Sequence, residues 1–257
     1  MSDTKRPRLS RRDLLALSGG TILAPLSGHT PSAQAAAPAS VPQRSSAGAK
    51  RRVQIFEGTN LAAAASPDGS KIAFDLAASL WVVDSKGGPA LRLTDDLGDI
   101  AQPDWSPDGQ SIVFQSYREG NFQIWMVSAN GGTLQHLTDG PFDSREPRFS
   151  PDGKKIVFSS DRGGSYGIHV LELATGAITT IADTAAEECE PSWSPDGSKI
   201  VFATDKSKIE IIDDKGQRSV ISAIESSRDI MLPKEVHAPS FTPDGTGVIY
   251  SMIANGK

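Results

Sequence analysis

The chain has 257 residues and a formal charge of −5, and five cationic against two acidic side chains in its first 35 residues leave about −8 on the rest. That acidic remainder argues against a nucleic-acid or anionic-membrane surface. Cys189 is the sole cysteine, which excludes an internal disulfide and a cysteine metal cluster, and it reads as a buried structural thiol.

The amino terminus reads as an address. Ser10-Arg11-Arg12-Asp13-Leu14-Leu15 has the form of a twin-arginine export motif. The mildly apolar stretch from Leu14 to Leu26 follows, broken by Gly19 and Gly20 and too short to span a bilayer as a lasting helix. Ala33 and Ala35 supply the small residues of a cleavage site, so residues 1–35 are a signal peptide and the mature chain begins at Ala36. No cysteine follows the apolar stretch, so no lipid anchor or stable membrane insertion is expected. A chain with this address crosses the membrane folded and works in the periplasm. Residues 36–51, rich in Ala, Ser, Pro and Gln, read as a flexible linker.

Residues 52–257 are organised by a repeat. Ser-Pro-Asp-Gly occurs at Ser66, Ser106, Ser150 and Ser194 and, altered to Thr-Pro-Asp-Gly, at Thr242; the prolines lie 40, 44, 44 and 48 residues apart. Repeats are expected near 59–95, 99–139, 143–183, 187–222 and 236–257. A first strand ends at each tetrad and includes Pro103-Asp104-Trp105, Pro147-Arg148-Phe149, Pro191-Ser192-Trp193 and Pro239-Ser240-Phe241. The tetrad has the composition of a type I turn. Apolar triplets follow (Ile112-Val113-Phe114, Ile156-Val157-Phe158, Ile200-Val201-Phe202), and their lack of polar alternation predicts a strand covered on both faces.

Third strands such as Ile124-Trp125-Met126-Val127 end in glycine hairpins, and fourth strands such as Gln135-His136-Leu137-Thr138 close each set. Four short antiparallel strands per ~40–45 residues is the period of a β-propeller blade. The expected fold is therefore all-β, a propeller of four-stranded blades with about five present. Val53-Gln54-Ile55-Phe56-Glu57 reads as a further fourth strand at the start. The nineteen expected strands fall short of a closed five-bladed ring, which reads as the front part of a longer protein.

The run of aromatic residue, Ser-Pro-Asp-Gly, Lys-Ile-Val-Phe, Ser-Ser-Asp-Arg, Ile-Trp-x-Val, Gly-Gly and Leu-Thr resembles the repeat of TolB-type propellers, a WD-like family of bacterial periplasmic proteins. The resemblance covers about residues 52–253. It implies the propeller fold, while the same blades occur in several functional settings. Large periplasmic amidohydrolases also begin with a signal peptide and such a propeller, and Gly58-Thr59-Asn60-Leu61 looks like their entry to the first blade. Serine peptidases of the prolyl-oligopeptidase type pair the same propeller with a catalytic domain.

Motifs for chemistry within the chain are few. Gly163-Gly164-Ser165-Tyr166-Gly167 matches the nucleophile-elbow pattern, yet it falls at a turn between second and third strands rather than between a strand and a helix. His169 takes the slot of Trp81 and Trp125 and is expected to pack. There is no His-x-His or His-Glu-x-x-His pair for a catalytic metal. No catalytic residue and no cofactor is assigned.

The acidic loops from fourth to first strands remain. Gln102, Glu146 and Glu190 occupy one position, immediately before the first-strand proline. With Asp143, Arg145, Glu188 and His237 they are the candidate site at the mouth of the central channel, for a cationic or hydrogen-bonding partner segment or a divalent ion. The expected function is an exported module that binds a protein or peptide, or gates an active site, without catalysis of its own. The alternative is the propeller part of a periplasmic hydrolase whose catalytic domain, an amidohydrolase before a serine peptidase, lies beyond residue 257.

Overall fold

The computed structural model describes residues 62–95, 98–118, 120–223 and 235–253. The signal motif Ser10, Arg11 and Arg12, the cleavage residues Ala33 and Ala35, the linker, and the strand and entry residues 53–61 lie outside the described residues.

The described residues hold eighteen strands in five antiparallel sheets, each a meander. The first blade is β1 (Ala63–Ala65), β2 (Lys71–Leu76), β3 (Ser79–Asp84) and β4 (Leu91–Arg92). The second is β5 (Asp99–Trp105), β6 (Ser111–Tyr117), β7 (Phe122–Ser128) and β8 (Gln135–His136). The third is β9 (Ser144–Phe149), β10 (Lys155–Ser160), β11 (Gly167–Glu172) and β12 (Ile178–Ala182). The fourth is β13 (Glu188–Trp193), β14 (Lys199–Thr204), β15 (Lys208–Asp213) and β16 (Arg218–Ala223). The fifth contributes β17 (Glu235–Phe241) and β18 (Val248–Ile253). First strands of successive blades contact one another, β1 with β5, β5 with β9, β9 with β13 and β13 with β17. This is an all-β propeller of radially packed blades, not closed among the described residues.

The apolar triplets are sandwiched as their pattern requires. Val113 and Ile124 of the second blade pack with Phe149, Ile156, Phe158 and Leu171 of the third. Ile112 and Phe114, one residue to either side of Val113, pack with Ala73, Leu80 and Val82 of the first blade. Val157 and Ile168 likewise meet Ile200, Phe202 and Ile212. The second strands β6, β10 and β14 thus bury opposite faces against two neighbours, and each such Val, Ile or Phe contributes about 1.5–3 kcal/mol.

The tetrad is a hydrogen-bonded turn between first and second strands. Gly153 N–H donates to the Ser150 carbonyl at 2.9 Å, and Lys155 N–H donates to Ser150 Oγ at 2.9 Å. Ser150 Oγ in turn donates to Asp152 at 2.6 Å. Gly153 has φ +71°, a conformation that costs glycine little, and a Cβ there would stand 3.4 Å from Pro107 Cδ of the preceding blade. The turn therefore also tiles one blade against the next.

Fourth strands β4 and β8 are only two residues long, although four were expected in each. The Thr94 and Thr138 hydroxyls intervene, accepting the Leu80 and Ile124 N–H groups at 2.9 Å, so side chain replaces backbone in the ladder.

Candidate functional site

Every first strand from β5 onward carries the same irregularity. Proline has no N–H to give the ladder, and pairing skips across it. Ala101 pairs with Gln115 and Asp104 with Val113, so Gln102 and Pro103 together face one residue, Phe114. In the same way Glu146 and Pro147 face Phe158, Glu190 and Pro191 face Phe202, and Ala238 and Pro239 face Tyr250. The residue before each proline is left-handed: Gln102 at φ +55°, Glu146 at +58°, Glu190 at +56° and Ala238 at +50°. For non-glycine residues this backbone costs roughly 1–2 kcal/mol.

The bulge offers its N–H to the preceding blade. Glu146 N–H donates to Gln115 Oε1 at 2.8 Å, Glu190 N–H to Glu146 Oε2 at 2.6 Å, and Ala238 N–H to Glu190 Oε2 at 2.5 Å. Ser159 Oγ adds a second donor to Glu146 at 2.8 Å. Burial pushes the Glu146 carboxyl above the ordinary glutamate value, against the opposing pull of the Glu190 N–H. Between the second and third blades two further bonds join that link: Arg148 donates to Gln102 Oε1 at 3.1 Å, and Phe149 N–H to Asp104 Oδ2 at 2.8 Å.

Apart from Gln102, held by Arg148, the site residues expected from sequence divide into three groups. Glu146, Glu190 and His237 come together: His237 Nδ1 lies 3.3 Å from Glu190 Oε1 and its Nε2 3.0 Å from Glu235 Oε2. Cys189 sits half-buried beside them; burial first, then the Glu146 and Glu190 charges, push its thiol up to about 12. Asp143 and Arg145 form a second group, 2.8 Å apart, with Tyr166 Oη donating to Asp143 at 3.0 Å. Burial opposes ionisation of Asp143, yet the Phe122 N–H, Arg145 and Tyr166 outweigh it and hold its carboxyl below the usual range. The Arg145 guanidinium lies 4.2 Å from the Phe122 ring centre and 5.7 Å from that of Tyr166.

Glu188 stands apart and corrects the sequence expectation of a rim residue. Its side chain is fully buried, 2.9 Å from Arg218 and 2.8 Å from Thr184 Oγ1. Arg218 crosses the Phe202 ring to reach it, and the same guanidinium pairs with the buried Glu210. Glu188 belongs to the interior of the fourth blade because β16 supplies a cation there.

The remaining sequence motifs have structural positions. Ser165 Oγ donates to the Thr184 carbonyl at 2.6 Å. A Cβ on Gly167 would lie 2.6 Å from the Ala182 carbonyl, so that glycine is required by packing. His169 is buried against Phe158, its ring lowered in basicity by burial and then by Arg162. Among the described residues no group of three or more His, Cys, Asp or Glu side chains is placed to hold a metal ion.

Sequence reading missed Gln115, Asp104 and the aromatic loop residues around Arg145. A signal was present, since two of the chain's three tyrosines, Tyr117 and Tyr166, fall where second strands run into third strands.

The family model described as the TolB beta propeller domain matches residues 35–144 and 140–212. The curated Uncharacterized peptidase YuxL of Bacillus subtilis (strain 168) is 43% identical over 53 residues, which are 19% of this chain and 8% of that protein. The crystal structure of TolB from Acinetobacter baumannii is 25% identical with a TM-score of 0.60, over 73% of this chain and 47% of that one. A puromycin hydrolase structure, at 18% identity and a TM-score of 0.55 over 75% of this chain and 33% of that one, shares the fold. The chain thus spans under half the length of each of these three proteins. With more than half of its residues matched by the family model, and with the bulged, tetrad-turned blades just described, this chain belongs to the TolB β-propeller family.

Proposed function

We propose that this is an exported, periplasmic binding propeller that captures a protein or peptide segment on its loop end, without chemistry of its own. The observation that carries the reading is the network around Arg145. In a four-stranded meander, the loops from second to third strands and from fourth to first strands emerge at one end. There Asp143, Arg145, Phe122 and Tyr166, from two neighbouring blades, are locked by mutual contacts. A rigid surface assembled from several loops loses little entropy when a partner docks.

The Glu146 and Glu190 carboxylates enter the proposal in a changed role. They hold the inner edges of the blades in register and position the loop end, because their oxygens already accept N–H groups of the next blade. Gln102 and His237 act with them at the neighbouring junctions.

Two measurements test the reading. A photo-crosslinking amino acid placed at Phe142 or Glu187, on the loop end, should join the exported full chain to a protein partner, whereas one at Lys154, on the opposite end, should not. Equal labelling from both ends overturns it. Replacing Arg11 and Arg12 together by lysine should retain the chain in the cytoplasm, and unchanged periplasmic recovery would remove the export part.

The second reading, a propeller that gates a hydrolase domain beyond residue 257, is favoured by the similarity to the Bacillus subtilis peptidase. It predicts that the polypeptide made in the source cell is longer and cleaves an amide or peptide bond, while residues 36–257 alone cleave nothing in a substrate panel.

A further inference from the structure

Two aromatic side chains stand open at the loop end of the second and third blades: Tyr117 is 47% exposed and Phe142 36%. Tyr117 closes β6 and packs on Phe122 at 5.2 Å between ring centres. The Phe122 ring then carries Arg145, which reaches Tyr166, so the row crosses from one blade to the next.

The loop bearing Phe142 is fixed from beneath. Gln123, almost fully buried, donates to the Gly140 carbonyl at 3.1 Å and to the Phe142 carbonyl at 2.8 Å. Its Oε1 accepts Thr138 Oγ1 at 2.7 Å, and Asp143 Oδ1 accepts the Phe122 N–H at 2.8 Å. The aromatic faces are therefore held in place rather than collapsed onto one another.

Charge decides what fits them. The cations of this region are already engaged. Arg118 pairs with Asp95 at 3.0 Å and lies over Trp125. Arg145 pairs with Asp143. Arg162 donates to Ser160 and Ser144 and lies over Phe158. Asp139, three residues before Phe142, is exposed, and it shares the Arg162 charge with Asp161, so carboxylates outnumber cations around this loop. An exposed aromatic face beside carboxylates in excess of the local cations favours a guanidinium or ammonium group.

We propose that Tyr117 and Phe142, edged by Asp139, form a docking surface for a cationic segment of a partner protein that lays arginine or lysine side chains over the rings. This rests on the binding reading above and names the chemistry of the partner. The acidic character of the chain outside its first 35 residues acts in the same direction by drawing a basic segment in.

The test is fluorescence anisotropy on the full chain with labelled oligo-arginine, oligo-glutamine and oligo-glutamate peptides at low and near-physiological salt. Oligo-arginine should bind and the other two should not. Asp139→Lys combined with Phe142→Ser should weaken it by about tenfold or more, and Asp214→Lys, at the opposite end, should leave it unchanged. Phe142→Leu keeps the apolar area and removes the π face, so it should lose affinity as well. All of these positions are exposed, and unchanged melting temperatures confirm that folding is intact. Equal binding of oligo-arginine and oligo-glutamine, or full retention of affinity by the Asp139/Phe142 variant, overturns the proposal. A chain that ignores oligo-arginine yet crosslinks to a partner from Phe142 or Glu187 loses this surface and keeps the binding function.

Discussion

Glu146 shows how one side chain sets both a junction and a pH response. Its carboxylate accepts the Glu190 N–H and the Ser159 hydroxyl, and burial raises its pKa. Asp104 is raised for the same first reason. A raised folded-state pKa means that the folded chain holds the proton more tightly. The stabilisation from these two groups is complete below their unfolded values and is lost as pH rises through the folded ones. The turn aspartates act oppositely: hydrogen bonds from Ser66 and Ser194 first, then from Ser70 and Ser198, bring Asp68 and Asp196 to about 2. Their contribution is present above the ordinary aspartate value and is lost as pH falls through about 2. Glu146→Gln keeps an acceptor for Glu190 N–H and removes the titration, so the fall in melting temperature as pH rises above the ordinary glutamate value should shrink. Glu146→Ala leaves that N–H without an acceptor and should cost about 1–3 kcal/mol on both sides of that value. Melting curves of both variants across pH check the pair.

At the scale of the strand, the bulge before each proline is the element that sequence conveyed least. The proline itself, the tetrad and the apolar triplets were legible, because turn chemistry and unbroken Val/Ile/Phe runs act locally. Strand order and blade identity followed from them. The left-handed residue was not legible, since Gln102, Glu146, Glu190 and Ala238 share no side chain that prefers φ > 0. Nor could Glu188 be separated from Glu190, two positions along one strand, without knowing that Arg218 would arrive from β16. The Glu146 and Glu190 carboxylates were legible as residues, while the N–H groups that they accept come from another blade and were not. Ala238 is the informative place to relieve the strain, because it is exposed and its side chain links nothing. Ala238→Gly should raise stability by about 0.5–1 kcal/mol, the left-handed cost less the added chain entropy, read as a higher urea midpoint with an unchanged slope.

On the scale of the whole propeller, apolar cores between blades carry the burden and a few ionic links fix the details. The Glu188–Arg218–Glu210 group is the most exposed to failure, with Glu188 fully buried and Glu210 nearly so. Arg218→Leu strands two carboxylates and should cost about 3–5 kcal/mol. Replacing all three residues by apolar ones of similar volume should return most of that loss, which chemical denaturation of the single and triple variants measures.

The hand-off of one blade's carboxylate to the next blade's N–H runs in a single direction along the chain, from Glu146 to Glu190 to Ala238. Among the described residues such a connection behaves as a row of nearest-neighbour couplings. Defects at Gln115 and Glu146, which share a residue across adjoining junctions, should be energetically coupled. Defects at Gln115 and Glu190, separated by a whole blade, should simply add. Damage introduced at one end would then spread as fraying, blade after blade, and native-state hydrogen exchange should record it as a gradient of opening energies rather than one common value.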